Sequence, residues 1–356
     1  MQKSKILIID CLDQIPFGKH LFESFSKLGL VGRYLYINEF KKKSFYKLRR
    51  CVKKLFSREK KYFYYAKGSS ENFKKLINEF CPQYVLVVGT CYKFIDPAVL
   101  ENLKIKNQFK LIMWDTDIAN MFANFPMLKF FLKQEAKIYD QIFSFSKITC
   151  NFLQNTGYSE TKFLPYGAKK IDASLVNKQI THKNTDICFI GAPWSSMRRA
   201  LVLENLRDYN LKVYGIKWKN ILSLVSSQLK NKIICHNIWG DNLYNAIQQT
   251  KIILNITDHQ MFGAETGINL RIFEILSCAG FLLTDYCDEL NDLFVIGKEI
   301  EVYKSSAELI DKVNFYLKND DARSRIALAG HQRFLKDYTL DCRAKKFIKL
   351  AGIDIN

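Results

Sequence analysis

The segment from Gly267 to Leu283 combines residue types that suit the binding of a nucleotide diphosphate. It reads as a helix capped by Asn269, with Arg271 and Glu274 three residues apart, followed by a small-residue turn and a buried strand. A helix N-terminus offers unpaired N–H groups and a positive dipole to a phosphate. An acid one turn into such a helix can accept hydrogen bonds from a sugar diol. The alternative interpretation is that Glu274 pairs only with Arg271 on its own helix.

Short apolar runs alternate with helical patterns along the chain, as they do in βαβ units. Several runs are apolar without alternation, which is typical of a parallel sheet covered on both faces. The polar segment 169–185 is the natural linker between two such halves. Ligands of open α/β sheets bind outside the carboxyl ends of the strands. We therefore expect an α/β fold with two Rossmann-like doubly wound domains that face each other across a cleft.

The length of 356 residues and the 48% share of hydrophobic residues are sufficient for two packed cores. The strands are predicted at Lys5–Ile9, Tyr34–Ile37, Tyr84–Val88, Lys110–Trp114, Gln141–Phe145, Asp186–Ile190, Leu211–Tyr214, Ile233–His236, Ile252–Ile256 and Phe281–Thr284. In the first half, helices are predicted near Lys19–Leu28, Ser70–Phe80, Pro97–Leu103 and Met127–Tyr139.

The cysteine usage favours a reducing compartment. Ten cysteines are scattered without a C-x-x-C pair, and there are five histidines, so neither a zinc site nor a disulfide framework is predicted. Asp10 interrupts the first apolar run too early for a signal peptide. No uninterrupted apolar stretch approaches the roughly 18 residues that a membrane span needs. We expect a cytoplasmic protein, soluble or peripheral on the inner face of the cell membrane.

The net charge of +19 indicates a polyanionic partner, and the charge is densest in the segment 41–67. This segment holds twelve lysines and arginines and one acid, with apolar residues at helical spacing, namely Leu48, Val52, Leu55 and Phe56. Basic amphipathic helices of this kind bind anionic membrane surfaces. A solvated surface helix is the alternative interpretation. Nucleic acid ranks last, because no helix-turn-helix, zinc-finger or RNP-type signature accompanies the charge.

From about Trp114 onward the chain resembles GT-B glycosyltransferases, especially those related to the spore-maturation protein CgeB. The family pattern has a strand ending in Phe-x-Gly and then an arginine, a strand ending in Tyr-Gly, a polar turn with glycine, and the helix described above. Its counterparts here are Phe189, Gly191 and Arg198, then Tyr214-Gly215, Ile238–Gly240 and Asn269–Glu274. The order and spacing of the pieces carry the resemblance. The first 113 residues share only the general layout.

The resemblance implies a donor site for a nucleotide-diphosphate sugar of the UDP or GDP type. Gly191 would let the diphosphate approach the backbone, and Arg198 would neutralise it. The turn 237–240 would contact the nucleobase through backbone groups. The donor-binding residues implied in this way are Gly191, Arg198, Tyr214, Gly215, Ile238, Gly240, Asn269, Arg271 and Glu274.

Three acids are candidate catalytic residues. Asp115 and Asp117 follow a buried strand on the acceptor side, where a carboxylate can orient a sugar or accept a proton. Capping of the next helix is the alternative role for them. Many retaining relatives carry two glutamates with seven residues between them. Glu274 matches the second, whereas the first falls at Thr266 with Glu265 adjacent, so the pattern is broken there.

The first connection after the first predicted strand lacks the Gly-Gly pair of many relatives, which leaves Asp10, Asp13 and His20 as weaker alternatives for the base. We find no paired Asp-x-Asp that is accompanied by other ligands in a metal-binding loop, so no metal and no resident cofactor are expected. The resemblance implies that helix dipoles and arginine stabilise the departing diphosphate instead.

We therefore expect a bacterial transferase of the hexosyltransferase type that acts on a lipid-linked, lipopolysaccharide or capsule glycan with retention. Residues 1–170 would form the acceptor domain with the insertion 41–67, residues 171–335 the donor domain, and 336–356 a helix that packs back on the first domain. A nucleotide-sugar epimerase, or a non-catalytic protein that binds glycans or membranes, are the alternatives on this fold.

Overall fold

The chain forms two compact α/β units. The computed structural model describes residues 4–12, 15, 17–37, 42–58, 60, 63–172, 183–194 and 196–354. The first unit comprises Met1–Pro165 together with Leu340–Asn356, and the second comprises Tyr166–Thr339. The sequence placed these limits at 170 and 336. Residues 173–182 of the predicted linker, and Asp13, lie outside the described residues.

In the first unit, the described strands form a parallel six-stranded sheet of order β2-β1-β3-β4-β5-β6. The strands are β1 Lys5–Asp10, β2 Val31–Tyr36, β3 Tyr84–Val88, β4 Lys110–Trp114, β5 Gln141–Ser144 and β6 Thr161–Phe163. The helices are α1 Phe17–Lys27, α2 Tyr46–Leu55, α3 Ser70–Phe80, α4 Pro97–Asn107, α5 Ile118–Met121, α6 Phe125–Gln134 and α7 Lys147–Asn155. The central strands β1, β3 and β4 are buried almost throughout, as their uninterrupted apolar runs predict.

The described strands of the second unit also form a parallel six-stranded sheet, with the different order β12-β11-β10-β7-β8-β9. Its strands are β7 Thr185–Ile190, β8 Leu211–Tyr214, β9 Ile233–Ile234, β10 Thr250–Asn255, β11 Leu282–Asp285 and β12 Glu301–Tyr303. Its helices are α8 Arg198–Glu204, α9 Ser227–Lys230, α10 Asp241–Gln248, α11 His259–Gly263, α12 Leu270–Ser277, α13 Ser306–Lys318 and α14 Asp320–Asp337. The strand order reverses between β7 and β10, which is where open α/β sheets bind ligands.

The helix predicted over 127–139 is interrupted in the structure. Helix α6 ends at Gln134, and a single 3-10 turn covers Ala136–Ile138. Glu135 between them is fully buried, and its carboxylate accepts hydrogen bonds from the backbone N–H groups of Cys91 and Tyr92, both at 2.8 Å. A buried carboxylate is stable only with such partners, so Glu135 leaves the helical path to reach them.

The last helix, α15 Leu340–Ala351, belongs to the first unit. The ring of Phe347 lies 5.5 Å from that of Phe25 on α1, 5.6 Å from that of Trp114 and 5.0 Å from that of Phe143. Phe347 is fully buried, so α15 completes the core on this face of the sheet.

Replacing Phe347 by Ala should destabilise the first unit by about 3–5 kcal/mol, because it leaves a cavity among three aromatic rings. Urea unfolding followed by circular dichroism measures the loss. Lys349→Ala on the exposed side of α15 is the control and should change stability little. Equal effects of the two substitutions would show that α15 is not part of the core.

Candidate functional site

The carboxylate of Asp285 connects the ends of two neighbouring strands of the second unit. It lies at the end of β11 and is 4% exposed. Its oxygens accept hydrogen bonds from the backbone N–H of Thr257 at 3.0 and 3.1 Å and from the Thr257 hydroxyl at 2.7 Å. Thr257 follows β10, so the carboxylate fixes the start of the loop that leads to α11 and α12.

Arg198, the first residue of α8, completes this cluster. Its Nη2 donates to Asp285 Oδ2 and its Nη1 donates to the carbonyl of Thr257, both at 2.7 Å. The guanidinium carbon lies 3.8 Å from the centroid of the Phe262 ring on α11. Arg198 therefore stands at the carboxyl edge of the sheet with its plane fixed by two hydrogen bonds and one aromatic face.

Arg199 has a different environment from its neighbour. Its Nε donates to the carbonyl of Ile256 at 2.9 Å and its Nη1 to the carbonyl of Ala192 at 2.6 Å. Burial lowers the pKa of Arg199 to about 10. These contacts hold two loops together, which favours a structural role for Arg199. A donor-binding role for Arg198 stays a prediction.

Gly191, predicted to admit a diphosphate, and the predicted donor-binding residue Gly215 also let two loops approach each other. A Cβ at Gly215 would lie 2.2 Å from the carbonyl oxygen of Gly191. The same oxygen accepts a hydrogen bond of 2.8 Å from Nε1 of the buried Trp218. Tyr214, half-buried at the end of β8, has its ring 6.0 Å from that of His236. Packing alone therefore requires glycine at 215, whatever binds there.

The predicted N-cap position of Asn269 on α12 is confirmed, but a capping role of its side chain is not. Asn269 holds the N-cap position, but its side chain makes no capping hydrogen bond. Its amide Nδ2 donates to the carbonyl of Gly267 at 3.2 Å instead, and its Oδ1 is buried without a hydrogen-bond partner. The first N–H groups of α12 are therefore not satisfied by this side chain, which suits an anion at the helix N-terminus.

Arg271 and Glu274 form the ion pair of the alternative interpretation. Arg271 Nη1 and Glu274 Oε2 are 2.7 Å apart, and both side chains are mostly buried. The contact is ionic, since Nη1 has no aligned hydrogen-bond partner. Burial raises the pKa of Glu274, and Arg271 opposes the rise. The guanidinium carbon of Arg271 also lies 5.5 Å from the ring of Trp239. A donor-binding role for both residues stays a prediction.

The backbone turn predicted to contact a nucleobase lies between β9 and α10. Ile238 is buried, whereas Gly240 is exposed and adopts a left-handed φ of 54° at the start of α10. Asn237 Oδ1 accepts a hydrogen bond of 3.2 Å from the backbone N–H of Ile216. This bond connects the loops that follow β8 and β9.

Glu265 is exposed and ends α11 in a left-handed conformation, with φ 57°. Its N–H bonds to the carbonyl of Phe262 and the N–H of Thr266 to that of Met261, which together form a Schellman motif. The neighbouring Thr266 is buried and donates its hydroxyl hydrogen to Glu289, a carboxylate that sequence reasoning assigned no role. The structure therefore accounts for Glu265 as a helix end; its catalytic role stays a prediction.

In the first unit, the carboxylate of Asp115 accepts hydrogen bonds from the backbone that directly follows it. It is fully buried, and its carboxylate accepts hydrogen bonds from the N–H groups of Asp117 and Ile118, both at 2.8 Å, and from the Ser144 hydroxyl at 2.6 Å. Burial raises the pKa of Asp115 to about 6. These are the contacts of the capping interpretation.

Asp117 is half-buried, and burial raises its pKa while Lys93 opposes the rise. Its weak contact with Asn120, 3.5 Å from Nδ2, leaves it the better placed of the two acids to meet a ligand. A catalytic role for either residue stays a prediction.

The N-terminus of α1 is occupied by a carboxylate of the same unit. Asp10 at the end of β1 is fully buried and accepts hydrogen bonds from the backbone N–H of Leu12 at 3.0 Å and the hydroxyl of Tyr34 at 2.8 Å. It also accepts one from the N–H of Gly18, where a Cβ would lie 2.4 Å from Asp10 Oδ2. The position at which the first βα connection of a Rossmann unit holds phosphate is therefore filled here.

Among the described residues, no three His, Cys, Asp or Glu side chains come together in a group that could hold a metal ion. All ten cysteines are free. Metal-independent chemistry stays a prediction.

Comparison with known proteins identifies one matching protein family and several solved structures of similar fold. Residues 197–349 match the protein family described as Glycosyl transferase-like. That stretch holds Arg198, Thr257, Asp285 and the whole of α12. No curated protein sequence is significantly similar to the chain. The narrower resemblance to CgeB-related proteins stays a prediction.

Solved structures resemble the chain over its whole length. A glycosyltransferase from Rickettsia africae is 12% identical with a TM-score of 0.63, covering 99% of this chain and 100% of that one. The sucrose-phosphate synthase of Thermosynechococcus elongatus is 11% identical with a TM-score of 0.65, covering 98% of each chain. Anabaena HepE in complex with UDP and glucose is 13% identical with a TM-score of 0.63, covering 98% of this chain and 99% of that one. The predicted GT-B fold class with two Rossmann-like units is confirmed.

Replacing Asp285 by Ala should lower the stability of the second unit by about 3–5 kcal/mol, because it leaves the Arg198 guanidinium and the Thr257 N–H without their acceptor. Thermal and urea unfolding measure the change. Asp292→Ala, at an exposed position on the same segment, is the matched control. A loss no larger than that of the control would mean that the cluster does not organise this edge of the sheet.

Proposed function

We propose that this protein is a glycosyltransferase that uses a nucleotide-diphosphate sugar of the UDP or GDP type. The observation that carries the proposal is that two groups suited to a diphosphate lie within the stretch that matches a glycosyltransferase family. The stretch that matches the Glycosyl transferase-like family contains the fixed guanidinium of Arg198 and the uncapped start of α12, both on one unit. A cation and free N–H groups are the elements that a diphosphate requires.

In the proposed reaction the bond between the anomeric carbon and the β-phosphate oxygen breaks, and its electron pair stays on the diphosphate. The acceptor hydroxyl oxygen bonds to the anomeric carbon from the same face, with its proton passing to the departing phosphate oxygen. Arg198 and the N-terminus of α12 stabilise the developing charge, since fixed donors need no reorganisation during the reaction. No metal is required in this scheme. Asp115, Asp117 and Glu265 remain the candidate catalytic residues. Asp117 is preferred over Asp115, because the carboxylate of Asp115 already accepts hydrogen bonds from two backbone N–H groups.

Two other functions would suit the same fold, a nucleotide-sugar epimerase and a non-catalytic glycan- or membrane-binding protein. An epimerase would convert the donor without an acceptor, whereas a transferase requires one. A non-catalytic protein would neither hydrolyse nor transfer the sugar. Incubation with UDP- and GDP-sugars, with and without a lipid-linked glycan acceptor, separates the three.

Replacing Arg198 by Ala should reduce turnover by about 100- to 1000-fold, the range for loss of one fixed donor to a developing anion. Arg199→Ala should lower the melting temperature more, because its buried guanidinium bonds to two backbone carbonyls. Donor hydrolysis or transfer and thermal unfolding are measured on both variants.

The control for this comparison is Arg207→Ala, which removes an exposed arginine from the same unit. Small and equal effects of the Arg198 and Arg199 substitutions on turnover would place the phosphate contact elsewhere, most simply at Arg271.

We further propose that the acceptor is a lipid-linked, lipopolysaccharide or capsule glycan reached at the inner face of a bacterial membrane through α2. In the described part of the chain no helix is both long and apolar enough to cross a bilayer. Helix α2 has no buried residue. The apolar side chains on it and at its two ends are exposed, namely Phe45 at 76%, Leu48 at 64%, Leu55 at 70% and Phe56 at 85%.

Basic residues surround this apolar stripe. Lys47, Arg50, Lys53 and Lys54 are all exposed on α2, and no acid lies within the helix. Lys53 and Lys43 place their ammonium groups 5.0 and 4.5 Å from the ring of Tyr65, which stacks on Tyr46. Lys41, Lys61 and Tyr62 of the predicted segment lie outside the described residues. An apolar stripe with a basic border is the composition of helices that lie in an anionic membrane interface.

Reversing Lys47, Arg50, Lys53 and Lys54 to Glu should abolish co-sedimentation with anionic phosphatidylglycerol vesicles, because each basic residue near such a surface contributes about 1 kcal/mol. Binding by the unaltered protein should fall steeply with salt. Donor binding should persist, since the donor residues belong to the other unit.

The matched control reverses four exposed lysines elsewhere on the first unit, Lys74, Lys75, Lys106 and Lys349, for the same change in charge. Equal losses of vesicle binding in the α2 variant and in the control variant would show that the interaction depends on net charge alone. If the unaltered protein ignores anionic vesicles at low salt, the membrane proposal is wrong.

A further inference from the structure

Trp194 and Lys217 make a contact to which the proposed reaction assigns no role. The Lys217 ammonium lies 4.3 Å from the centroid of the Trp194 ring. Trp194 is 52% exposed, although a large aromatic side chain gains free energy by burial, and Lys217 is exposed as well. Trp194 follows β7 and Lys217 follows β8, and these strands are neighbours in the sheet. The pair therefore stands at the carboxyl edge, where ligands of such sheets bind.

The backbone of both residues is in the left-handed region, with φ 53° at Trp194 and 67° at Lys217. Among the described residues, the other non-glycine residues with positive φ lie at or beside the ends of α-helices, namely Phe45, Cys81, Gln108, Glu265 and Ala279. Four of these follow helix C-termini, where the conformation is common. The two exceptions touch each other. Such conformations are rare for bulky residues and cluster at ligand sites.

The two loops are held by contacts that do not involve a ligand. The backbones of Gly191 and Gly215 approach so closely that a Cβ at 215 would lie 2.2 Å from the Gly191 carbonyl oxygen. The fully buried Trp218, next to Lys217, donates its indole hydrogen to that oxygen at 2.8 Å. This packing fixes the starts of both loops, so the exposed indole and its ammonium are presented before anything binds.

The strand order places the pair between two parts of the proposed donor site. On one side, Arg198 bonds to Thr257 and Asp285 at the ends of β10 and β11. On the other, Asn237 after β9 bonds to Ile216, the residue before Lys217. The pair over β7 and β8 therefore lies between the cation for the diphosphate and the turn on the side of the nucleobase.

We propose that Trp194 stacks on the nucleobase of the nucleotide diphosphate and that Lys217 pairs with the adjacent phosphate. This assignment rests on the proposed function and names the two residues that fix the nucleoside end. An indole face offers stacking to any base, and an ammonium beside it complements the phosphate charge. The pair therefore favours nucleotides over sugar phosphates and discriminates little between bases.

The test measures the affinity for UDP, GDP and inorganic pyrophosphate by calorimetry, with intrinsic fluorescence alongside. Trp194→Asn removes the ring but tolerates the left-handed backbone. It should weaken the affinity for UDP and GDP by about 10- to 100-fold, which is the range for loss of one stacked base. The affinity for pyrophosphate should stay unchanged. Trp194→Phe should retain most of the affinity. Trp114 and Trp218 are fully buried and Trp239 is half-buried, so the part of the UDP quenching that comes from Trp194 should disappear in Trp194→Phe although binding persists.

Lys217→Asn, which also suits a left-handed backbone, should weaken the affinity for nucleotides and for pyrophosphate alike. Lys217→Arg keeps the positive charge and should retain both affinities. Unchanged UDP and GDP affinity in Trp194→Asn would overturn the assignment. So would equal losses for pyrophosphate and nucleotides in that variant, because Trp194 would then only support its loop. Failure of the unaltered protein to bind any nucleotide diphosphate would instead refute the proposed function itself.

Discussion

The buried carboxylate of Asp285 is the constraint on which the edge of the second sheet depends. A carboxylate removed from water is stable only when its oxygens are satisfied by hydrogen bonds or opposite charge. Thr257 supplies two donors and Arg198 supplies a third with a full charge. Three segments distant in sequence must therefore meet at one point. The loop that begins at Thr257 leads into α11, which carries Phe262, and the ring of Phe262 covers the guanidinium. The cation is thus oriented before any ligand arrives, which is the condition for electrostatic stabilisation without reorganisation.

Buried carboxylates in the first unit are also satisfied by hydrogen bonds, but there they accept them from backbone N–H groups of their own unit. Asp10, Asp115 and Glu135 are buried, and each accepts hydrogen bonds from backbone N–H groups of its own unit. Asp10 in particular reaches the start of α1 through Gly18. An anion from solution would have to compete with a carboxylate that is already in place. At the start of α12 the residue in the capping position, Asn269, turns away. The two parallel α/β units therefore differ in the side chain at these helix starts, and the proposed phosphate site depends on that difference.

Much of the fold follows from local pattern, because uninterrupted apolar runs and helical periodicity depend on neighbours in sequence. Strands such as Tyr84–Val88 and Lys110–Trp114 agree with their predicted bounds. The candidate site was less accessible to such reasoning. Asn269 has the residue type of a cap, but its amide bonds to Gly267. Arg198 was predicted from the family resemblance, as the arginine that follows Gly191, whereas its partner Asp285 stands 87 residues away, with no periodicity to connect the two. The contact between Trp194 and Lys217 depends on two backbone conformations that neither residue type prefers.

The surface of α2 sets a further condition on what the protein meets. A helix without a buried residue gains little from packing on its own unit, so its stripe of Leu48, Val52, Leu55 and Phe56 is not explained by the fold. A soluble polyanion would neutralise the surrounding lysines and leave that stripe in water. A neutral apolar partner would cover the stripe and leave the charges unpaired. An anionic membrane interface accepts both, because headgroups meet the ammonium groups while the apolar side chains enter the acyl boundary. The composition of this exposed helix is therefore the argument for the proposed membrane surface over the other polyanions that the net charge of +19 would allow.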